Sequence, residues 1–136
     1  MFETFDHTAD LGLRIRAASL DELFADAGRA LFATVVEDPA LIEPREQRTI
    51  EIAGKEREYL LFDWLKELLY RFDAEHFLCA RFDVHVRDDG LSATVCGEPL
   101  DWDRHVLGHE VKAITYHGLK VEQMPDGWLA EVIVDI

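Results

Sequence analysis

Two kinds of apolar repeat divide this chain into strands and helices. Leu11, Leu13, Ile15 and Ala17 alternate with small or polar residues, which predicts a half-buried strand over 11–17. A shorter strand is predicted over 2–5. Ser19 and Glu22 form a capping box, and Leu20, Leu23, Phe24, Ala27 and Leu31 follow at helical spacing. That predicts a helix over 20–34. Pro39 and Pro44 punctuate a loop, after which Ile50 and Ile52 mark a strand over 48–53. A second helix is predicted over 56–72. Its wide apolar face carries Tyr59, Leu60, Phe62, Leu65, Leu68, Leu69 and Phe72. Its polar face holds Glu67 four residues before Arg71, the favourable order for an ion pair. This second helix reads as the main core helix.

From Phe77 onward the repeat becomes two. Ala80, Phe82, Val84 and Val86 alternate with Arg81, Asp83, His85 and Arg87. Asp89 and Gly90 read as a two-residue turn into a second strand over 91–96, making a hairpin. Residues 111–116 and 119–123 read as one long strand broken at Gly118, with Lys112, Ile114 and Tyr116 on one face. A turn at 124–127 leads into a closing strand over 128–136. Strands and helices do not alternate as β-α-β, so the expected class is α+β. Two helices should pack on a mostly antiparallel or mixed sheet of about seven strands.

At 136 residues and 49% hydrophobic content, the chain suits a single compact domain over 1–136. The net charge of −14 disfavours direct nucleic-acid binding, which rests on lysine and arginine neutralising phosphate. It favours a cation or a basic protein as partner. The N-terminus lacks a basic segment and an apolar run, and no stretch approaches the ~20 apolar residues of a membrane span. A soluble, cytoplasmic protein without membrane contact is expected. In the predicted hairpin Cys96 falls opposite Asp83, about 13 Å along the strand from Cys79, too far for a disulfide. Both cysteines read as reduced structural thiols.

Candidate chemistry gathers at the two ends of the sequence. Asp6, His7 and Asp10 lie in an acidic turn between two strands, and the closing strand ends on Asp135 and Ile136. If the fold joins these ends, three or four carboxylates, from the Asp6–Asp10 turn, Asp135 and the Ile136 terminus, crowd together. They then need a cation or a cationic partner, and oxygen-only ligands suit Ca²⁺, Mg²⁺ or Mn²⁺. The alternative is that both ends are solvated acids that never meet. His105 and His109 have the spacing of zinc ligands on a helix, but Gly108 and the lack of further ligands favour a surface loop. Lys112 on a half-apolar strand reads either as a snorkelling surface lysine or as a contact residue. No phosphate-cradling loop and no nucleophile motif is present.

Three separated motifs then coincide. Asp6-His7-Thr8-Ala9-Asp10-Leu11-Gly12, Glu110-Val111-Lys112-Ala113-Ile114-Thr115-Tyr116-His117, and the ending Val132-Ile133-Val134-Asp135-Ile136 together resemble the archease family. The resemblance covers essentially the whole chain. It implies a compact α+β protein that is not itself an enzyme but the accessory factor of the RtcB-type RNA ligase. Such a factor promotes guanylylation and multiple turnover in tRNA splicing and RNA repair. The resemblance also implies a metal site on Asp10, Asp135 and Ile136, with Lys112, His7 and Asp6 as candidate contacts to partner or nucleotide. A stand-alone metal-dependent hydrolase and a chaperone-like binding module are the competing readings.

Overall fold

Helix α1 (Leu20–Val35) lies between two sheets and packs on both. Ser19 caps it as expected, its Oγ accepting the Glu22 N–H at 3.2 Å. The larger sheet contains β1 (Phe2–His7), β2 (Asp10–Ala17), β6 (Ala113–Ile114), β7 (Lys120–Met124) and β8 (Gly127–Asp135). The smaller contains β3 (Glu46–Ala53), β4 (Phe77–Arg87) and β5 (Gly90–Pro99). Helix α2 (Arg57–Glu75) packs on α1 and reaches β6. This computed structural model describes residues 1–7 and 10–136; Thr8, Ala9 and the side chain of His7 fall outside the description.

The α+β class stands, with two helices and, among the described residues, eight strands in two sheets rather than about seven in one. Every pairing is antiparallel. In the larger sheet the order is β1-β2-β8, and β6 and β7 share the far edge of β8. The long strand expected over 111–123 is therefore two short ones, divided by a turn at Tyr116 and Leu119. Among 111–116 only Val111 and Ile114 are buried, a spacing of three that no single strand face can show.

The core helix is α1, not α2. Ten α1 residues are buried against seven in α2, and α1 includes the small residues Ala25, Ala27, Gly28 and Ala30. Small side chains let both sheets approach it. Trp64 locks α2 onto α1: it is fully buried, and its indole N–H donates to the Phe24 carbonyl at 2.9 Å.

The β4–β5 hairpin is out of the expected register. Arg87 pairs with Gly90, so Asp88 and Asp89 make the turn, and a bulge sits between Cys79 and Arg81. Cys96 lies opposite Arg81, and Cys79 opposite the neighbouring Gly97. The 13 Å separation fails with that register, yet adjacent ladder positions project to opposite faces, and both thiols are free. Gly90 is needed where β3 passes: a Cβ there would stand 2.2 Å from the Ile52 carbonyl oxygen.

The outer face of the larger sheet carries a row of alternating charges. Glu3, Arg14, Glu131 and Lys120 are successive cross-strand partners on β1, β2, β8 and β7. Arg14 bonds Glu131 at 2.8 Å and Glu3 at 3.1 Å, and Lys120 meets Glu131 at 3.0 Å. Alternating signs in a row fix strand register more than they add stability. One row above, the Phe5 ring lies over Gly12, where a Cβ would come within 2.2 Å of it.

A buried polar knot ties the smaller sheet to its loops. Glu98, 3% exposed at the end of β5, accepts from the Glu43 N–H at 2.7 Å. It also accepts from both terminal nitrogens of Arg104, at 2.6 and 3.1 Å. His105 Nε2 lies 3.0 Å from the same carboxylate, and its Nδ1 accepts the Asp101 N–H at 2.9 Å. The backbone bond at Nδ1 puts the ring proton on Nε2, aimed at Glu98. Burial pushes the Glu98 pKa up, but these donors outweigh it and hold it at about 2.

Two predictions follow from this packing. Gly12→Ala forces the Phe5 ring aside and costs about 1–3 kcal/mol in urea unfolding. Combined with Phe5→Ala, it costs less than the sum of the two single changes; strict additivity would show that ring and glycine do not compete for space. Glu98 is held below its ordinary value of 4.5, so its contribution is complete above that pH and lost as pH falls toward about 2. Glu98→Gln therefore destabilises the protein at pH 7 by about 3 kcal/mol, as for other broken buried pairs. The gap to wild type narrows between pH ~4.5 and ~2, measured by unfolding at each pH.

Candidate functional site

The larger sheet brings the two acidic ends of the sequence together. Asp10 opens β2, Asp135 ends β8, and the register makes them direct cross-strand partners. The same row continues to His7 on β1 and Ala113 on β6. Partners in an antiparallel ladder stand about 5 Å apart at Cα and project to the same face. That face is the outer one, shared with Arg14 and Glu131 four residues along. Both aspartates are half-buried. The Asp135 carboxylate has no hydrogen bond or ion pair among the described residues, so one charge of the pair stands uncompensated by the protein. Ile136 follows directly, and its side chain packs against the core, which anchors the end of the sequence beside the pair.

The strands run further into the expected Asp6–Asp10 turn than the alternation suggested. Asp6 belongs to β1 and pairs with Leu11. It is exposed, and ladder parity sends it to the opposite face from Asp10 and Asp135. The row places the His7 backbone beside Asp10, while its side chain lies outside the described residues.

Lys112 does not sit on a strand. It is exposed and immediately precedes β6, where its N–H donates to the Asp135 carbonyl at 2.7 Å. Its ammonium makes no ion pair among the described residues. Tyr116, expected on its face, instead stacks on Phe62 of α2 with ring centroids 3.9 Å apart.

The donor chemistry at this corner, two carboxylates on one face of the sheet, fits a hard cation. Among the described residues no group of three or more His, Cys, Asp or Glu side chains is placed to hold a metal ion.

The histidine pair lies in a loop, as expected, but only one of the two is on the surface. His105 is 3% exposed and committed to Glu98 and Asp101, while His109 is exposed with its N–H on the Thr34 carbonyl. Cys79 is no nucleophile: burial pushes its thiol up to about 12.

A cleft of about 450 Å³, unmarked by any local sequence pattern, opens between the ends of α1 and α2. Its lining includes Val35, Phe72, Asp73, Glu110, Val111 and Lys112. Lys112 thus stands between the cleft and the aspartate pair. Among the described residues, no helix is long and apolar enough to cross a membrane.

Comparison with known proteins places this chain in a family. The pattern of the Archease protein family (MTH1598/TM1083) matches residues 2–136. Protein archease of Thermococcus gammatolerans is 40% identical over 142 aligned residues, covering 99% of this chain and 98% of the relative. Protein archease of Methanothermobacter thermautotrophicus is 40% identical over 140, again covering 99% and 98%. Among solved structures, Methanobacterium thermoautotrophicum protein 1598 superposes with a TM-score of 0.87 at 38% identity, covering 99% of this chain and 98% of that one. A Thermotoga maritima protein described as an archease and possible chaperone shares the fold, with a TM-score of 0.68 at 24% identity over 100% and 98%. The chain belongs to the archease family.

Proposed function

We propose that this protein is a non-catalytic activator of an RtcB-type RNA ligase and works through a divalent cation held at its acidic corner. The observation that carries the reading is the register that sets Asp10 directly opposite Asp135 on the open face of the larger sheet. Asp10, Asp135 and the α-carboxylate of Ile136 would hold the ion, with Ca²⁺, Mg²⁺ and Mn²⁺ as the chemically suited candidates. When bound, the ion supplies positive charge able to offset phosphate oxygens during nucleotidyl transfer.

The protein's own residues set the geometry. The β2–β8 ladder fixes the spacing of the two aspartates. The Lys112 N–H clamps the Asp135 backbone, and its ammonium, which has no ion pair among the described residues, would meet ligase or phosphate. A chain of charge −14 suits docking on a basic protein rather than on bare RNA.

The direct test is RNA ligation under multiple turnover with the cognate ligase, with and without this protein. We expect product per ligase to rise well above one only when it is present. An unchanged yield, or hydrolysis of GTP or RNA by the protein alone, would replace this reading with a different one, the latter with a metal-dependent hydrolase. Asp10→Ala is expected to abolish stimulation and metal binding while shifting stability by less than about 1 kcal/mol, since it relieves repulsion at a partly solvated pair. A peptide extension after Ile136 removes the α-carboxylate and is expected to weaken metal binding, read by calorimetry, without altering the circular dichroism. Equal affinity with and without the extension would remove Ile136 from the site.

A further inference from the structure

The cleft beside Lys112 has chemistry of its own. Val35, Phe72 and Val111 give it apolar walls, and Asp73 and Glu110 set two carboxylates on it. Neither carboxylate has a hydrogen bond or ion pair among the described residues. The Asp73 carboxyl is held above its usual range, first by burial and then by the charge of Glu110, with His76 pulling weakly the other way. The α2 helix adds the negative end of its dipole here, and its last turn carries no basic residue to offset it. Lys112 and His109 line the same cleft, but neither forms an ion pair with the two acids.

An anionic occupant would be repelled from such a site, and a purely apolar one would desolvate two carboxylates without compensation. A long cationic side chain satisfies both parts. Its methylene stem covers the apolar wall while its head group reaches the acids. We infer that this cleft receives an arginine or lysine side chain from a basic segment of a partner protein, with the stem on Phe72 and Val111 and the head group on Asp73 and Glu110. Arginine suits it better, because the planar guanidinium can serve two carboxylates at once. The inference rests on the accessory-protein reading only in supposing a protein partner. It uses neither the metal nor any residue of the aspartate pair.

The test is an NMR titration of the full-length, isotope-labelled chain with N-acetyl-arginine amide at fixed ionic strength. N-acetyl-citrulline amide, similar in shape but uncharged, is the control. We expect saturable shifts confined to residues 72–73 and 107–112 with the arginine compound and none with citrulline. The isosteric pair Asp73→Asn and Glu110→Gln, with an unchanged folded spectrum, should weaken binding about tenfold or more. Equal binding of citrulline, shifts that never saturate, or full affinity in the double variant would overturn the proposal. So would concentration-dependent shifts of the same residues without any additive, which would make a second copy of this chain the occupant. Ligase stimulation is not the readout. A failure to stimulate therefore counts against the proposed function, and the titration alone decides the cleft.

Discussion

Strand β8 is the constraint on which the larger sheet depends. It pairs along its whole length with β2 on one side, and with β6 and β7 on the other. It is the one strand that joins the β1–β2 pair to both β6 and β7, and β1 is attached only through β2. Its Ala130, Val132 and Val134 face the core and are fully or almost fully buried, while Glu131 and Asp135 face out. Sliding β8 by one residue would exchange these two sets. The alternation that packs the core therefore also fixes which way Asp135 points and what stands opposite it. Packing and the candidate site are specified by one register.

Much of this was legible in the sequence because it is local. The cap at Ser19, both helices and the alternation of β2, β4 and β8 follow from spacing alone, and their ends move by only a few residues. The Asp10 and Asp135 carboxylates stood out on charge, and the resemblance joined them. What sequence reasoning missed was set by long-range contact. Gly90 looked like a turn glycine; its constraint comes from β3, a third strand more than thirty residues away. Helix α1 looked secondary because alanine and glycine weigh little in a hydrophobic pattern, yet those small residues are what allow two sheets to close on one helix.

The polar knot was missed for a related reason. Charged residues are read as solvated by default, and Arg104 and His105 lie in a segment with no periodicity. The available signal was Glu98 itself, a lone carboxylate in the run Val95-Cys96-Gly97-Glu98-Pro99-Leu100, where the strand pattern asks for burial. A buried carboxylate demands donors, and here they come from two separate loops. The knot therefore acts as specificity for loop placement rather than as a source of core stability.

The β2–β8 ladder joins segments more than a hundred residues apart in sequence. Closing so long a loop is entropically costly and slow, so the two aspartates meet only when nearly everything between them has already been organised. In the unfolded chain there is no partial version of the pair. Anything that grips both carboxylates binds the native state alone, and by mass action it raises the stability of the whole domain in proportion to the logarithm of its concentration. The acidic corner is in that sense a sensor of the protein's own integrity: occupancy there reports that the entire chain is folded.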